Sequence, residues 1–412
     1  MQKRIYLLFL IIITSVLFLA NKVFADTTTD SVIEIMRKFG LENIQVKDNS
    51  DSSKKYLISY ENRTFLHEIN LLGSLLSSLK GQIAEDSNLV FLPKSRGKVI
   101  SKISLNFQDY LDFIAGKIDE AKFAEKIEIT LNPNSYLETE VINPLFLHSD
   151  IVLAPSYILD HTTGPTLFLS PYSNTYFDHG FSFSSRFRVP VYNIENGFDI
   201  SKNFNLYPPG FISSYVDYST PILDLPLFTT LRSGFIYNNS AYKAVLLNNL
   251  QYLIWGGIGR LNLFTGVNYN LKFGYPDFSI TPSVQYYPGI WDLLFEAGGG
   301  KFFNNYGGWG RVTRQFNNVD LGFSIFRFMD PNNKGWGLNF EFNLAIGPEH
   351  GIDASLFRFT YPINFSGYLY SGNSYDFSLL GYSNDEFIKR LYPEYIKTHL
   401  YYWKRSEGEV RQ

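Results

Sequence analysis

The chain has 412 residues, no cysteine and a formal net charge of −3. It therefore carries neither a disulfide framework nor the basic excess that a nucleic-acid partner requires. Aromatic residues make up 17% and charged residues only 18%, with 37 Phe and 29 Tyr; soluble domains seldom need that balance, whereas membrane β-barrels place aromatics on the lipid face and in interfacial girdles.

Lys3 and Arg4 precede an apolar run over residues 5–20, and Val23-Phe24-Ala25 precedes Asp26. A positive start, an apolar stretch and small residues at −3 and −1 predict a signal peptide, residues 1–25. An N-terminal membrane anchor is the alternative, because the run is near the lower length limit for a span. No cysteine follows the site, which excludes lipoprotein attachment there. Beyond Ala25 no apolar run is long enough for a transmembrane helix, so membrane residence has to be through strands.

Residues 26–140 read as a small α/β domain placed in the periplasm. Val32, Ile35, Met36 and Phe39 fall at helical spacing, with Gly40 as the stop. Ile44-Gln45-Val46 and residues 56–60 read as strands joined by a polar turn over residues 48–53. Ile69, Leu72, Leu75, Leu76, Leu79 and Ile83 mark an amphipathic helix, and residues 89–92 a buried strand. Residues 99–105 alternate as the next strand, and a single helix is predicted over residues 107–126 with Tyr110, Phe113, Ile114 and Ile118 on its apolar side.

The texture changes around Asn132-Pro133-Asn134, and residues 141–412 are assigned to a barrel. Phe181, Phe183, Phe187 and Val189 alternate with Ser182, Ser184, Arg186 and Arg188. Leu261, Leu263, Val267 and Tyr269 alternate with Asn262, Gly266, Asn268 and Asn270; Phe278, Ile280, Val284 and Tyr286 with Ser279, Thr281, Ser283 and Gln285. Leu338, Phe340, Phe342, Leu344 and Ile346 alternate with Asn339, Glu341, Asn343 and Ala345, and a further alternating strand runs from Phe357 through Phe359, Tyr361 and Ile363 to Phe365. A period of two puts each set on its own face. Turn formers punctuate the runs at Asp178-His179-Gly180, Glu195-Asn196-Gly197, Tyr306-Gly307-Gly308 and Asp330-Pro331-Asn332-Asn333.

A soluble β-sandwich or propeller would carry more Lys and Glu on its polar face. Here Phe, Tyr and Leu oppose Asn, Ser, Thr and Gly, and in hydrocarbon an alternating sheet survives only when closed. The fold class is thus mostly β: a transmembrane antiparallel barrel of about 12–14 strands, even in number, behind the α/β domain. The closing strand is expected either at Tyr401-Tyr402-Trp403 or near residues 375–382.

Motifs for chemistry are weak. None of the six histidines is spaced as H-E-x-x-H, and no cysteine helps to ligate zinc. His148-Ser149-Asp150 puts neighbours on opposite faces of a strand, and no G-x-S-x-G elbow is present. Gly298-Gly299-Gly300-Lys301 lacks the first glycine and the hydroxyl of a phosphate loop, so it reads as a glycine-rich strand on which aromatic neighbours pack. Asp330 to Glu341 mimics a calcium loop, but Lys334 stands at position 5, where an oxygen is needed. No catalytic residue, cofactor or metal is assigned.

Two places carry a resemblance. Tyr60-Glu61-Asn62-Arg63 follows a strand and precedes a Leu-rich helix containing Gly73. Gly300-Lys301-Phe302-Phe303 and Tyr306-Gly307-Gly308 lead to Arg314-Gln315-Phe316-Asn317-Asn318, Leu321-Gly322-Phe323 and Lys334-Gly335. In that order and spacing they resemble the YjbH-like exopolysaccharide-associated outer-membrane proteins. The chain departs from that family in being shorter and in having Asn304-Asn305 where an acidic residue is usual. The resemblance implies a non-enzymatic outer-membrane barrel acting late in export or assembly of a surface polysaccharide. Outer-membrane lipid, the polysaccharide and periplasmic export components are its implied partners, and nucleic acid is not. Arg186, Arg188, Asn339, Glu341 and Asn343 are the candidate lumen-facing polar residues. A general porin, a structural barrel with a filled lumen, and a barrel-embedded lipid-modifying enzyme with a spatial Ser/His or Asp/His cluster are the alternatives.

Overall fold

The computed structural model describes residues 27–48, 55–62, 65, 67–95, 97–131, 149–160, 164–177, 180–206, 209–222, 225–238, 241–255, 258–272, 274–289, 291–302, 305–316, 319–330, 333–344, 352–354, 357–359, 363–371 and 393–404. The signal-peptide region, the boundary at 140/141 and residues 375–382 lie outside these.

The first unit contains α1 (Thr27–Lys38), β1 (Glu42–Asp48), β2 (Lys55–Glu61), α2 (Glu68–Ser78), β3 (Asn88–Ser95), β4 (Lys98–Val99), β5 (Lys102–Asn106), α3 (Phe107–Ile114), α4 (Glu120–Lys126) and β6 (Glu128–Thr130). Its sheet has the order β1-β2-β3-β5-β6, with β4 paired to β3. Strands β2 and β3 are parallel, joined by α2 as a crossover, and the other pairs are antiparallel. Alternation explains the packing: Tyr56, Ile58 and Tyr60 of β2 join the helices in the main core, while Leu57 meets Val90 and Leu92 on the other face. The fully buried Tyr60 donates to the Glu68 carboxylate; burial first, and that charge second, push its hydroxyl pKa well above the ordinary value.

Four local expectations change. The second helix stops at Ser78 rather than reaching Ile83, because Leu79 and Lys80 close its end and Gly81 turns with φ +77°. The strand over residues 99–105 divides into β4 and β5. The single helix over residues 107–126 is two helices: Gly116 takes φ +74°, and the Asp119 side chain caps α4 by accepting from Lys122 N at 2.8 Å. Strand β6 was not foreseen.

The second unit is one large sheet. Its strands are β7 (Ser149–Asp160), β8 (Gly164–Tyr176), β9 (Phe181–Asn193), β10 (Gly210–Pro221), β11 (Leu227–Asn238), β12 (Ala241–Ile254), β13 (Gly259–Asn270), β14 (Pro276–Tyr286), β15 (Leu293–Phe302), β16 (Asn305–Phe316), β17 (Val319–Asp330), β18 (Asn333–Leu344), β19 (Ile352–Ala354), β20 (Phe357–Phe359) and β21 (Ile363–Ser371). A short helix α5 (Ile200–Leu206) sits in the loop after β9, and α6 (Pro393–Thr398) follows the last strand. Neighbours from β8 to β18 pair antiparallel in chain order, and β18 pairs antiparallel with β21. Strand β7 is hydrogen-bonded to β8 on one side and, in parallel, to β20 and β21 on the other. The chain is thus mostly β, with a large antiparallel sheet and few helices. No helix among the described residues is long and apolar enough to cross a membrane.

Here too the structure corrects details. A parallel β7–β21 pair goes with an odd number of alternating long strands among the described residues, not the even number expected. Tyr306-Gly307-Gly308 is not a turn but the start of β16, and the run from Phe357 to Phe365 is split between β20 and β21. Gly298 lies in β15 as expected, and the Trp309 ring packs over it, 2.4 Å from where a Cβ would stand. Tyr401-Tyr402-Trp403 is helical rather than a closing strand. Trp403 is buried in the core of the first unit: its indole N–H donates to Ile69 O at 2.8 Å, and its ring meets Tyr110 and Phe123 edge-on. The same apolar cluster includes Ile396 and Leu400 of the C-terminal segment and Phe228, Leu253, Tyr287 and Leu294 at one end of the large sheet. The last described residues therefore fasten the two units together.

Candidate functional site on the buried face of the large sheet

Alternation along β12–β15 sorts the side chains in the inverse sense to a soluble protein. On β13 Arg260, Asn262, Phe264, Asn268 and Asn270 are buried, while Leu261, Leu263, Val267 and Tyr269 are exposed. On β14 Ser279, Thr281, Ser283 and Gln285 are buried, while Phe278, Ile280, Val284 and Tyr286 are exposed. The exposed apolar set continues through Phe235, Leu246, Phe295, Val312, Phe323 and Ile325 on neighbouring strands.

Strand register lines up the buried polar groups in the hydrogen-bonding direction. Arg260 stands opposite Gln285, Gln285 opposite Glu296, Glu296 opposite Arg311, Arg311 opposite Ser324, and Ser324 opposite Asn339. Arg260 is 0% exposed and donates to Gln251 Oε1 at 3.0 Å and to the Gln285 side-chain oxygen. Asn262 donates to Ser283 Oγ at 3.1 Å, whose hydroxyl lies 3.5 Å from Glu296 Oε1. Further round, Arg232 holds Asp217 through two bonds of 2.6 and 2.7 Å, with its guanidinium 4.9 Å from the Tyr215 ring centre. That bidentate fork is the arrangement that makes a buried carboxylate tolerable. Beside it Tyr215, Ile236, Val245, Leu247 and Phe264 form an apolar patch on the same face. This face is dense in hydroxyls, amides and charged groups, many of them bonded to one another.

Of the residues singled out in the sequence, Asn339, Glu341 and Asn343 lie on β18, opposite Ser324, Gly322 and Asp320 of β17. Asn339 thereby joins the row that contains Arg260, Glu296 and Arg311. Arg186 and Arg188 are on β9, away from that row; Arg186 stands opposite Ser213, and the Arg188 guanidinium lies 5.0 Å from the Phe168 ring centre. Arg232, Asp217, Arg260, Glu296 and Arg311 were missed. Arg260 immediately precedes the alternating run from Leu261, so extending that run backwards by one residue would have found it.

A second polar cluster joins α6 to the turn between β14 and β15. His399, 3% exposed, places Nε2 against the Asp292 carboxylate and 3.4 Å from the Tyr287 hydroxyl, while Nδ1 is 2.9 Å from Thr398 Oγ1. Burial first, then Asp292, raises the pKa of Tyr287. This is an Asp/His pair with its second nitrogen on a hydroxyl, and its ring stacks on Tyr402. The same contacts tie α6 to the turn between β14 and β15. Among the described residues no group of three His, Cys, Asp or Glu side chains converges as a metal site requires. Comparison with protein-family models, with curated proteins and with solved structures found no match.

Proposed function

We propose that the large sheet is a barrel closed through β7 and spanning the outer membrane, and that it assists the export or assembly of a surface polysaccharide. The observation that carries the membrane reading is the inverted burial: Phe, Leu, Val and Tyr outside, Asn, Ser, Thr, Gln and Arg inside. Water would penalise that exposed belt, whereas a bilayer rewards it at about 25 cal/mol per Å². Pairing on both edges of β7 supports closure, since an open edge in hydrocarbon would leave backbone groups unsatisfied. A signal peptide and a periplasmic place for the α/β unit follow from the same reading.

The polysaccharide role rests on the resemblance and on the chemistry of the interior, where amides, hydroxyls and guanidinium groups match the hydrogen bonds of sugar hydroxyls. Outer-membrane lipid would surround the barrel, and periplasmic export components would dock on the α/β unit. The burial of Arg260, Asn262, Thr281 and Gln285 disfavours a general porin, whose wall would face a water column, and equally fits a structural barrel with a filled lumen, the reading that unchanged polymer would favour. The apolar contacts of Trp403, Phe228 and Leu253 hold the α/β unit at one end of the large sheet, in keeping with a periplasmic docking role for that unit.

The test compares extracellular with periplasmic polysaccharide in a strain deleted for the gene, with outer-membrane integrity monitored. Export predicts a fall outside and accumulation inside. Unchanged polymer in both places would refute the polysaccharide role. The membrane reading is checked separately by heat-dependent gel mobility and resistance to alkaline carbonate.

A further inference from the structure

On β11–β17 the exposed face is apolar at mid-height except at one place. Asn248 lies midway along β12, between Tyr242 and Tyr252 on the same face. Its Oδ1 accepts from Thr229 Oγ1 at 2.7 Å, and among the described residues this is its one side-chain hydrogen bond, with none from either amide N–H. Across the ladder it stands opposite Leu231 on β11 and Thr265 on β13, and Ser233 lies two residues from Leu231 on the same exposed face. The long polar side chains elsewhere on that face of β15–β17, Lys301, Arg314 and Arg327, lie within three residues of strand ends, where they reach the interface. Asn248 is too short and too central to do so. Thr229 and Ser233 flank Leu231 on β11, and Asn248 and Thr265 continue the row across β12 and β13, as a polar island in an apolar belt.

We propose that this island is where a second copy of the chain docks within the bilayer, about a two-fold axis along the membrane normal. The inference rests on the membrane reading above. Acyl chains offer no acceptor at this depth, so an unpaired amide here calls for a protein partner. Two copies inserted in one orientation bring their Asn248 side chains to the same depth, whatever that depth is. A carboxamide is both donor and acceptor, so it complements its own symmetry mate, as an isologous contact demands. Leu231, Leu246 and Leu263 supply the flat apolar surround.

The absence of native cysteine makes the test clean. Ser233→Cys in isolated membranes should cross-link with a short bis-maleimide to a band of twice the mass. Phe323→Cys, exposed on β17, should not. Adding Asn248→Leu to Ser233→Cys should cut the cross-link at least tenfold, and Asn248→Gln should retain it. The proposal is overturned if Ser233→Cys stays monomeric while the protein remains carbonate-resistant and heat-modifiable, or if Phe323→Cys cross-links equally well. A cross-link to a protein of another mass would also overturn it, because the partner would then not be a second copy. Extraction by carbonate would sink the membrane reading, and this proposal with it.

Discussion

Removing the Trp403 side chain should loosen the α/β unit although the residue lies at the far end of the chain. The indole is fully buried among Tyr110, Phe123 and the Leu-rich helix α2, and its N–H is bonded to Ile69 O. Trp→Ala in a core costs about 3–5 kcal/mol, to which the lost hydrogen bond contributes about 1 kcal/mol. With a urea slope of about 2 kcal/mol per M, a loss of about 4 kcal/mol moves the midpoint down by roughly 2 M. Trp403→Phe keeps most of the ring contacts and should move it by well under half as much. The assay is urea unfolding of the detergent-solubilised protein, followed by far-UV circular dichroism, with chymotryptic cleavage at Tyr401 and Tyr402 as a second readout. A Trp403→Ala midpoint within about 0.25 M of the parent, equivalent to the roughly 0.5 kcal/mol of an ordinary surface change, would refute the placement of this residue in the core.

Breaking one side of the Arg232–Asp217 fork should cost about 3–5 kcal/mol, because the partner is left charged and buried; replacing both with apolar residues should recover most of it. Heat-modifiability midpoints of the two single variants and the double variant check this. Gly298→Ala drives a Cβ to within 2.4 Å of the Trp309 ring and should cost about 1–3 kcal/mol, whereas Gly310→Ala, with its nearest atom at 4.0 Å, should stay within about 0.5 kcal/mol. The same midpoints separate the two. The Asp119 carboxylate is held below the usual range, chiefly by the Lys122 backbone N–H. Its capping contribution is therefore complete above the unfolded pKa of about 4 and is lost as pH falls through the folded value. The melting temperature of the α/β unit should fall less steeply below pH 4 in Asp119→Ser, which caps without titrating.

Periodicity made much of this protein legible. Phe278 to Tyr286 alternate throughout and Leu261 to Asn270 alternate except at Phe264 and Thr265, and side chains on a strand have no choice but to follow. The same rule located β3, α1 and β18, and it separated the α/β unit from the large sheet. It failed where local breakers outweighed pattern: Gly116 and Asp119 cut one apolar stripe into α3 and α4, and Tyr306-Gly307-Gly308, with two glycines in succession, looked like a turn but pairs with Lys301, Gly300 and Gly299.

The sequence by itself determined which face of each strand is apolar, because that depends only on parity. Tertiary structure decided which residues on the polar face meet. Arg260, Gln285, Glu296, Arg311 and Asn339 come from five strands spread over some eighty residues, and only the register of successive ladders sets them in one row. It also decided the fate of Tyr401-Tyr402-Trp403. An aromatic cluster near the end of a barrel sequence suits a closing strand or a packed helix equally well, and a long-range contact, Trp403 on Ile69, selected the helix.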